Sequence, residues 1–105
     1  MPTFNIQVSY VNGSISMTNN GNVTCNSNDT IQWNPDNTIS SIDSIVDNSA
    51  VNVFSSGPAP VGNSKNWKGT VKTVTTLTEE TYTINVTPAT TSKKVSHDPK
   101  ISVNP

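Results

Sequence analysis

Every second side chain over residues 4–10 is apolar: Phe4, Ile6, Val8 and Tyr10 alternate with Asn5, Gln7 and Ser9. Successive side chains of an extended chain point to opposite faces, so this stretch predicts a strand with one buried and one wetted face. Composition extends the same rule to the whole chain. Val, Ile and Thr account for 35 of the 105 residues, against one Leu and three Ala. β-Branched residues suit a pleated surface, and the best helix formers are nearly missing, so an all-β fold is expected. For a chain of 11.2 kDa, area scaling gives roughly 5,700 Å² of surface folded against about 16,000 Å² unfolded. That burial fills one sheet-on-sheet core, and residues 1–105 therefore read as a single sandwich domain.

Turn signals divide the chain into short extended pieces. Asn12-Gly13 and Asn19-Asn20-Gly21 bracket the apolar pair Ile15 and Met17; Val23 and Cys25 follow; residues 26–29 then turn the chain into a strand with Ile31 and Trp33 on its core face, closed by Pro35. Over residues 38–46 the apolar side chains Ile39, Ile42 and Ile45 recur every third position. The segment is rich in β-branched residues and lacks strong helix formers, so it predicts an irregular strand with a bulge. Val51 and Val53 resume strand spacing, and residues 55–66, with Gly57, Pro58, Pro60 and Gly62, predict a surface loop. Residues 67–77 and 81–87 predict a hairpin turning at Glu79-Glu80, its second strand alternating Tyr82, Ile84 and Val86. Residues 88–92 read as loop, and a turn at His97-Asp98-Pro99 leads into a last strand over residues 100–103. Seven to nine short strands spaced about ten residues apart are the pattern of a Greek-key sandwich.

Charge and chemistry exclude more than they assign. The net charge is −1 and there is no arginine, so the concentrated basic footprint that nucleic acid demands is missing. Cys25 is the single cysteine; it has no internal disulfide partner and reads as a small buried hydrophobe. No apolar run is long enough to span a bilayer. Residues 1–4 lack the basic start of a signal peptide, so the sequence reads as cytoplasmic, or as a secreted or surface domain whose signal has been removed. No Gly-x-Ser-x-Gly elbow occurs, and Glu79 and Glu80 are adjacent. In an extended chain these two acids face opposite ways and cannot flank one bond as paired glycosidase carboxylates do. The glycines of residues 57–62 are followed by Asn63 where a phosphate loop needs Lys, and two prolines remove backbone donors.

The order of features resembles the cupredoxin-like β-sandwiches. The resemblance is carried by the opening strand of residues 4–10, by the block Val23-Thr24-Cys25-Asn26-Ser27-Asn28-Asp29-Thr30-Ile31-Gln32-Trp33, and by the late strand Tyr82-Thr83-Ile84-Asn85-Val86. The closing Asp98-Pro99-Lys100-Ile101-Ser102-Val103 is similar to the tail of copper-free bacterial members akin to inclusion-body proteins. Asn28 stands where that family has Gly. The resemblance implies the fold and not the metal. A blue-copper site takes two imidazoles and a thiolate, and residues 87–96, where the family carries Cys, His and Met, hold none of them. His97 is the only histidine, and no metal or other cofactor is expected.

The expected function is a non-enzymatic structural or interaction domain, cupredoxin-like without copper, with homo-oligomer formation favoured by the low charge. The alternative is a small carbohydrate- or calcium-binding, lectin-like module. Carbohydrate would use Trp67 with Asn63 and Asn66, a flat aromatic beside amides; calcium would use the oxygens of Asp29, Asp36, Asp43 and Asp47.

Overall fold

The computed structural model describes residues 2–105; Met1, the first of the residues read above for a leader, lies outside it. The alternation of residues 4–10 becomes β1 (Thr3–Val11), with Ile6 and Val8 buried. The Asn12-Gly13 turn folds it onto β2 (Ser14–Met17). A single 3₁₀ turn, Thr18–Gly21, then carries the chain across to the second layer and β3 (Val23–Asn26). Gly21 sits at φ +82°, and a Cβ there would lie 2.7 Å from Pro99 Cγ, so this crossing requires glycine on both conformational and steric grounds. Residues 26–29 return the chain to β4 (Thr30–Pro35). The remaining strands are β5 (Ile39–Asp47), β6 (Phe54–Pro60), β7 (Trp67–Val71), β8 (Thr78–Pro88), β9 (Val95–His97) and β10 (Lys100–Asn104).

Ten strands among the described residues form two mixed sheets packed face to face, an all-β sandwich. One sheet has the order β2-β1-β4-β7-β6; the other has β3-β10-β8-β5, with β9 also pairing to β8. Two pairs are parallel, β1 with β4 and β3 with β10, and the others are antiparallel. The accessible surface of 5494 Å² is close to the roughly 5,700 Å² expected for one core of this mass.

Between the sheets lie Trp33, Tyr82, Phe54 and the branched residues Ile31, Ile39, Ile84, Val71, Val86, Ile101 and Val103. Trp33 meets Tyr82 edge-on at 5.6 Å between ring centroids and Phe54 at 6.2 Å. Both polar atoms of this aromatic pair are satisfied: Trp33 Nε1–H donates to Tyr82 Oη at 3.1 Å, and the Tyr82 hydroxyl donates to Gly21 O at 2.7 Å. The crossing turn is thereby tied to the centre of the core.

Several local expectations change. The irregular strand over residues 38–46 is β5, whose register against β8 shifts twice, after Ile39 and after Ile42. The strand read at Val51 and Val53 begins instead at Phe54, and the first half of the expected loop of residues 55–66 is β6. Pro58 and Pro60 are tolerated because β6 is an edge strand with two register shifts against β7. Residues 67–77 and 81–87 do not form a hairpin: β7 lies in one sheet between β4 and β6, and β8 in the other. The strand stops at Val71 because Lys72 N–H donates to Val53 O and Val74 N–H to Ser27 Oγ, which leads the chain across the end of the sandwich. β9 was not expected; His97 ends this strand, paired with Ile84, rather than opening a turn.

Candidate functional site

The long strand β8 alternates strictly, burying residues 80, 82, 84, 86 and 88. That phase carries Glu80 into the interior with Tyr82, Ile84 and Val86, and only 2% of Glu80 is exposed. Glu79 and Glu80 do face opposite ways, but inside a strand and not at a solvated turn. Glu79 lies outside, where it accepts from Ser102 Oγ at 2.9 Å and sits 3.3 Å from Lys100 Nζ. The Ser102 bond and then Lys100 hold its carboxyl below the usual range.

Glu80 Oε1 accepts the Val53 N–H at 2.9 Å. This donor is presented by residues 48–53, which leave β5 and re-enter the other sheet at Phe54; Asn52 Oδ1 fixes that re-entry by accepting the Phe54 N–H at 3.0 Å. Among the described residues no donor reaches Glu80 Oε2, and no sealed side-chain polar atom lacks a partner. Oε2 is therefore the oxygen that meets the cleft Glu80 lines, about 220 Å³ in volume, between edge strands β5 and β6. Phe54, Pro58 and Ile45 supply apolar walls, and Asp47 and Asn52 stand at its polar side. Burial pushes the Glu80 carboxyl up to about 7; the Val53 N–H opposes that, the Asp47 charge adds to it and the Lys72 charge opposes it. The group thus changes charge near neutral pH inside a cavity, where it can hold a proton or face a cation. The sequence reading places Glu80 with Glu79 at a hairpin turn, whereas it lies buried within β8. The signal was present, since the Tyr82-Ile84-Val86 alternation extended back by one step lands on it.

The three carbohydrate candidates sit together at the β6–β7 connection. Asn63 is exposed at its tip; Asn66 is half-buried, with its N–H on Ser64 Oγ and its carbonyl accepting from Val61 N–H. Trp67, the first residue of β7, pairs across the sheet with Trp33 and packs half-buried against the core. Lys65 pins this loop to the β4–β5 turn by donating to Ile39 O at 2.7 Å and Asp36 O at 3.1 Å.

The four calcium candidates are dispersed, each holding its own local donors. Asp29 is buried and caps the β3–β4 turn by accepting Asn26 N–H at 2.9 Å. Asp36 accepts from Ser9 and Thr38, and these bonds, the Ser9 one first, keep its carboxyl below the ordinary value. Asp43 takes Ser41 and Thr87 hydroxyls, and Asp47 takes the Ser49 N–H and hydroxyl. Among the described residues no three His, Cys, Asp or Glu side chains converge. His97 Nε2 lies 3.0 Å from Asn20 O. Cys25 is buried on β3, its thiol pushed up to about 11 by burial first and the Asp29 charge second.

A second groove, about 290 Å³, runs between β1 and β3, where Phe4 is flanked by Asn5, Thr18, Asn19, Asn22 and Thr24 with no charged side chain. No helix among the described residues is long and apolar enough to cross a membrane. Compared with known proteins, the chain matches no family model, and no curated protein is significantly similar to it in sequence.

Proposed function

We propose that this chain is a non-enzymatic structural and interaction domain, a copper-free, cupredoxin-like Greek-key sandwich, that self-associates through a polar sheet face. The observation that carries this reading is the outer face of the β2-β1-β4-β7-β6 sheet. Opposite the buried Ile31 and Trp33, Gln32 Nε2 donates to Asn34 Oδ1 at 2.8 Å, and Asn34 Nδ2 donates to Asn5 Oδ1 at 3.1 Å. Three neutral amides are thereby ordered across two strands before any partner arrives, which lowers the entropy cost of contact. A net charge of −1 offers little repulsion between copies.

Faces are favoured over edges. β2 and β3 are four residues each, β6 carries two prolines, and β5 is twice out of register; such edges are poor templates for strand addition. The lectin-like alternative draws less support, since Trp67 packs against the core and the four candidate aspartates, two of them within β5, are separately engaged. Sedimentation velocity over a dilution series tests the proposal: reversible oligomers are expected, reduced by Asn34→Lys, and a strict monomer at the highest concentration would refute it. A glycan array that lights up and goes dark with Trp67→Ala would favour the alternative instead.

A further inference from the structure

We propose that the cleft between β5 and β6 is a receptor for a cationic side-chain group, a primary ammonium or guanidinium on a short apolar stem, held by Glu80 and Asp47. The inference does not depend on self-association. Its basis is a mismatch between what the cleft offers and what the fold uses. Glu80 is nine-tenths buried or more, one of its oxygens is held by Val53 and the other has no donor among the described residues. Asp47 lines the same cleft, and its bonds to Ser49 all fall on Oδ1. Neither carboxyl lies within ion-pair distance of a lysine among the described residues, although Glu79 and Asp43 each do. Two acids therefore share a cavity whose counter-charge the fold does not bring into contact.

The walls indicate the rest of the ligand. Phe54, Pro58 and Ile45 present apolar surface that suits the methylene stem of a lysine or arginine, which buries its carbons and leaves its head for the polar end. An arriving cation would offset the repulsion between Glu80 and Asp47 and supply the missing donor to Oε2. The charged and titrating groups that face Glu80 are Asp47 of β5, which raises its proton affinity, Lys72 beyond β7, which lowers it, and Tyr82 on the same face of β8, whose phenol is pushed up by burial first and by the Glu80 charge as well. Because a proton and the cation compete for one carboxylate, affinity should rise about tenfold per pH unit up to about pH 7 and then level off.

The test is an NMR titration of the ¹⁵N-labelled protein with N-acetyl-lysine methylamide, N-acetyl-arginine methylamide and the uncharged N-acetyl-norleucine methylamide at pH 5.5 and 8. Saturable shifts at the amides of Val46, Asn52 and Val53 are expected for one or both cations at pH 8. They should weaken at least tenfold at pH 5.5 and in Glu80→Gln, and severalfold in Asp47→Asn, whose exposed position leaves folding intact. Lysine and arginine arms that differ would assign the head group. Equal shifts with norleucine, unchanged affinity in both variants, or no cleft shifts at saturating cation would each overturn the proposal.

Discussion

Replacing Glu80 by Gln removes a titrating group from the interior while keeping an oxygen to accept the Val53 N–H, so the variant isolates the effect of one proton. The folded carboxyl titrates at about 7, against 4.5 without burial. Above pH 4.5 the unfolded chain releases this proton and the folded chain retains it, so native stability falls as pH rises and stops falling once the folded group has ionised, near pH 7. At about 1.4 kcal/mol per pH unit the gap amounts to about 3 kcal/mol, which water reaching Oε2 through the cleft reduces to roughly 2 kcal/mol. Glu80→Gln has no such loss. The two proteins should be nearly equal at pH 5, and the variant should be the more stable by roughly 2 kcal/mol at pH 8, a urea midpoint higher by about 1–2 M. Asp36 and Glu79, whose carboxyls lie low in the folded state, give stability that is lost as pH falls, and they cancel in the comparison. Urea unfolding of both proteins at half-unit intervals from pH 4.5 to 8.5 is the assay. Parallel profiles would refute the assignment of Glu80 as a buried acid with a raised pKa.

Two further outcomes are expected. Tyr82→Phe strips the hydroxyl that pairs both Trp33 Nε1–H and Gly21 O, and leaving two buried groups unpaired should cost about 2–4 kcal/mol by chemical denaturation, with no loss of strand content in circular dichroism. Cys25, with its thiol raised to about 11 and its side chain buried, should resist an aromatic disulfide reagent at pH 8 until denaturant opens the sandwich; prompt labelling of the native protein would contradict its placement.

Much of the architecture was legible because it rests on period-two patterning. β1 needed only the Phe4-to-Tyr10 alternation, Trp33 was assigned to the core by its phase with Ile31, and the three-residue spacing of Ile39, Ile42 and Ile45 marked a strand broken by register shifts. β6 was not legible, since Gly57, Pro58 and Pro60 are turn formers whose place in a strand depends on lying at a sheet edge, which only the assembled sheet reveals. The supposed hairpin failed for a related reason: β7 and β8 are neighbours in sequence, and the pull of Ser27 and Val53 on residues 72–74 sends them to different layers. Glu80 was hidden by its own chemistry, because two adjacent acids invite a solvent-exposed reading even where the alternation continues through them.

The position of β10 has a kinetic consequence. It lies between β3 and β8, so a strand near the beginning of the chain stays unpaired until residues 100–104 emerge; the Ser27 hydroxyl and Asn104 carbonyl that meet there are separated by 77 positions. Contacts of that span make for slow maturation, and during ribosomal synthesis one layer waits, open and sticky, for its keystone. Loss of β10 would expose the former neighbours of Ile101 and Val103 and unmake the second layer from its middle outward.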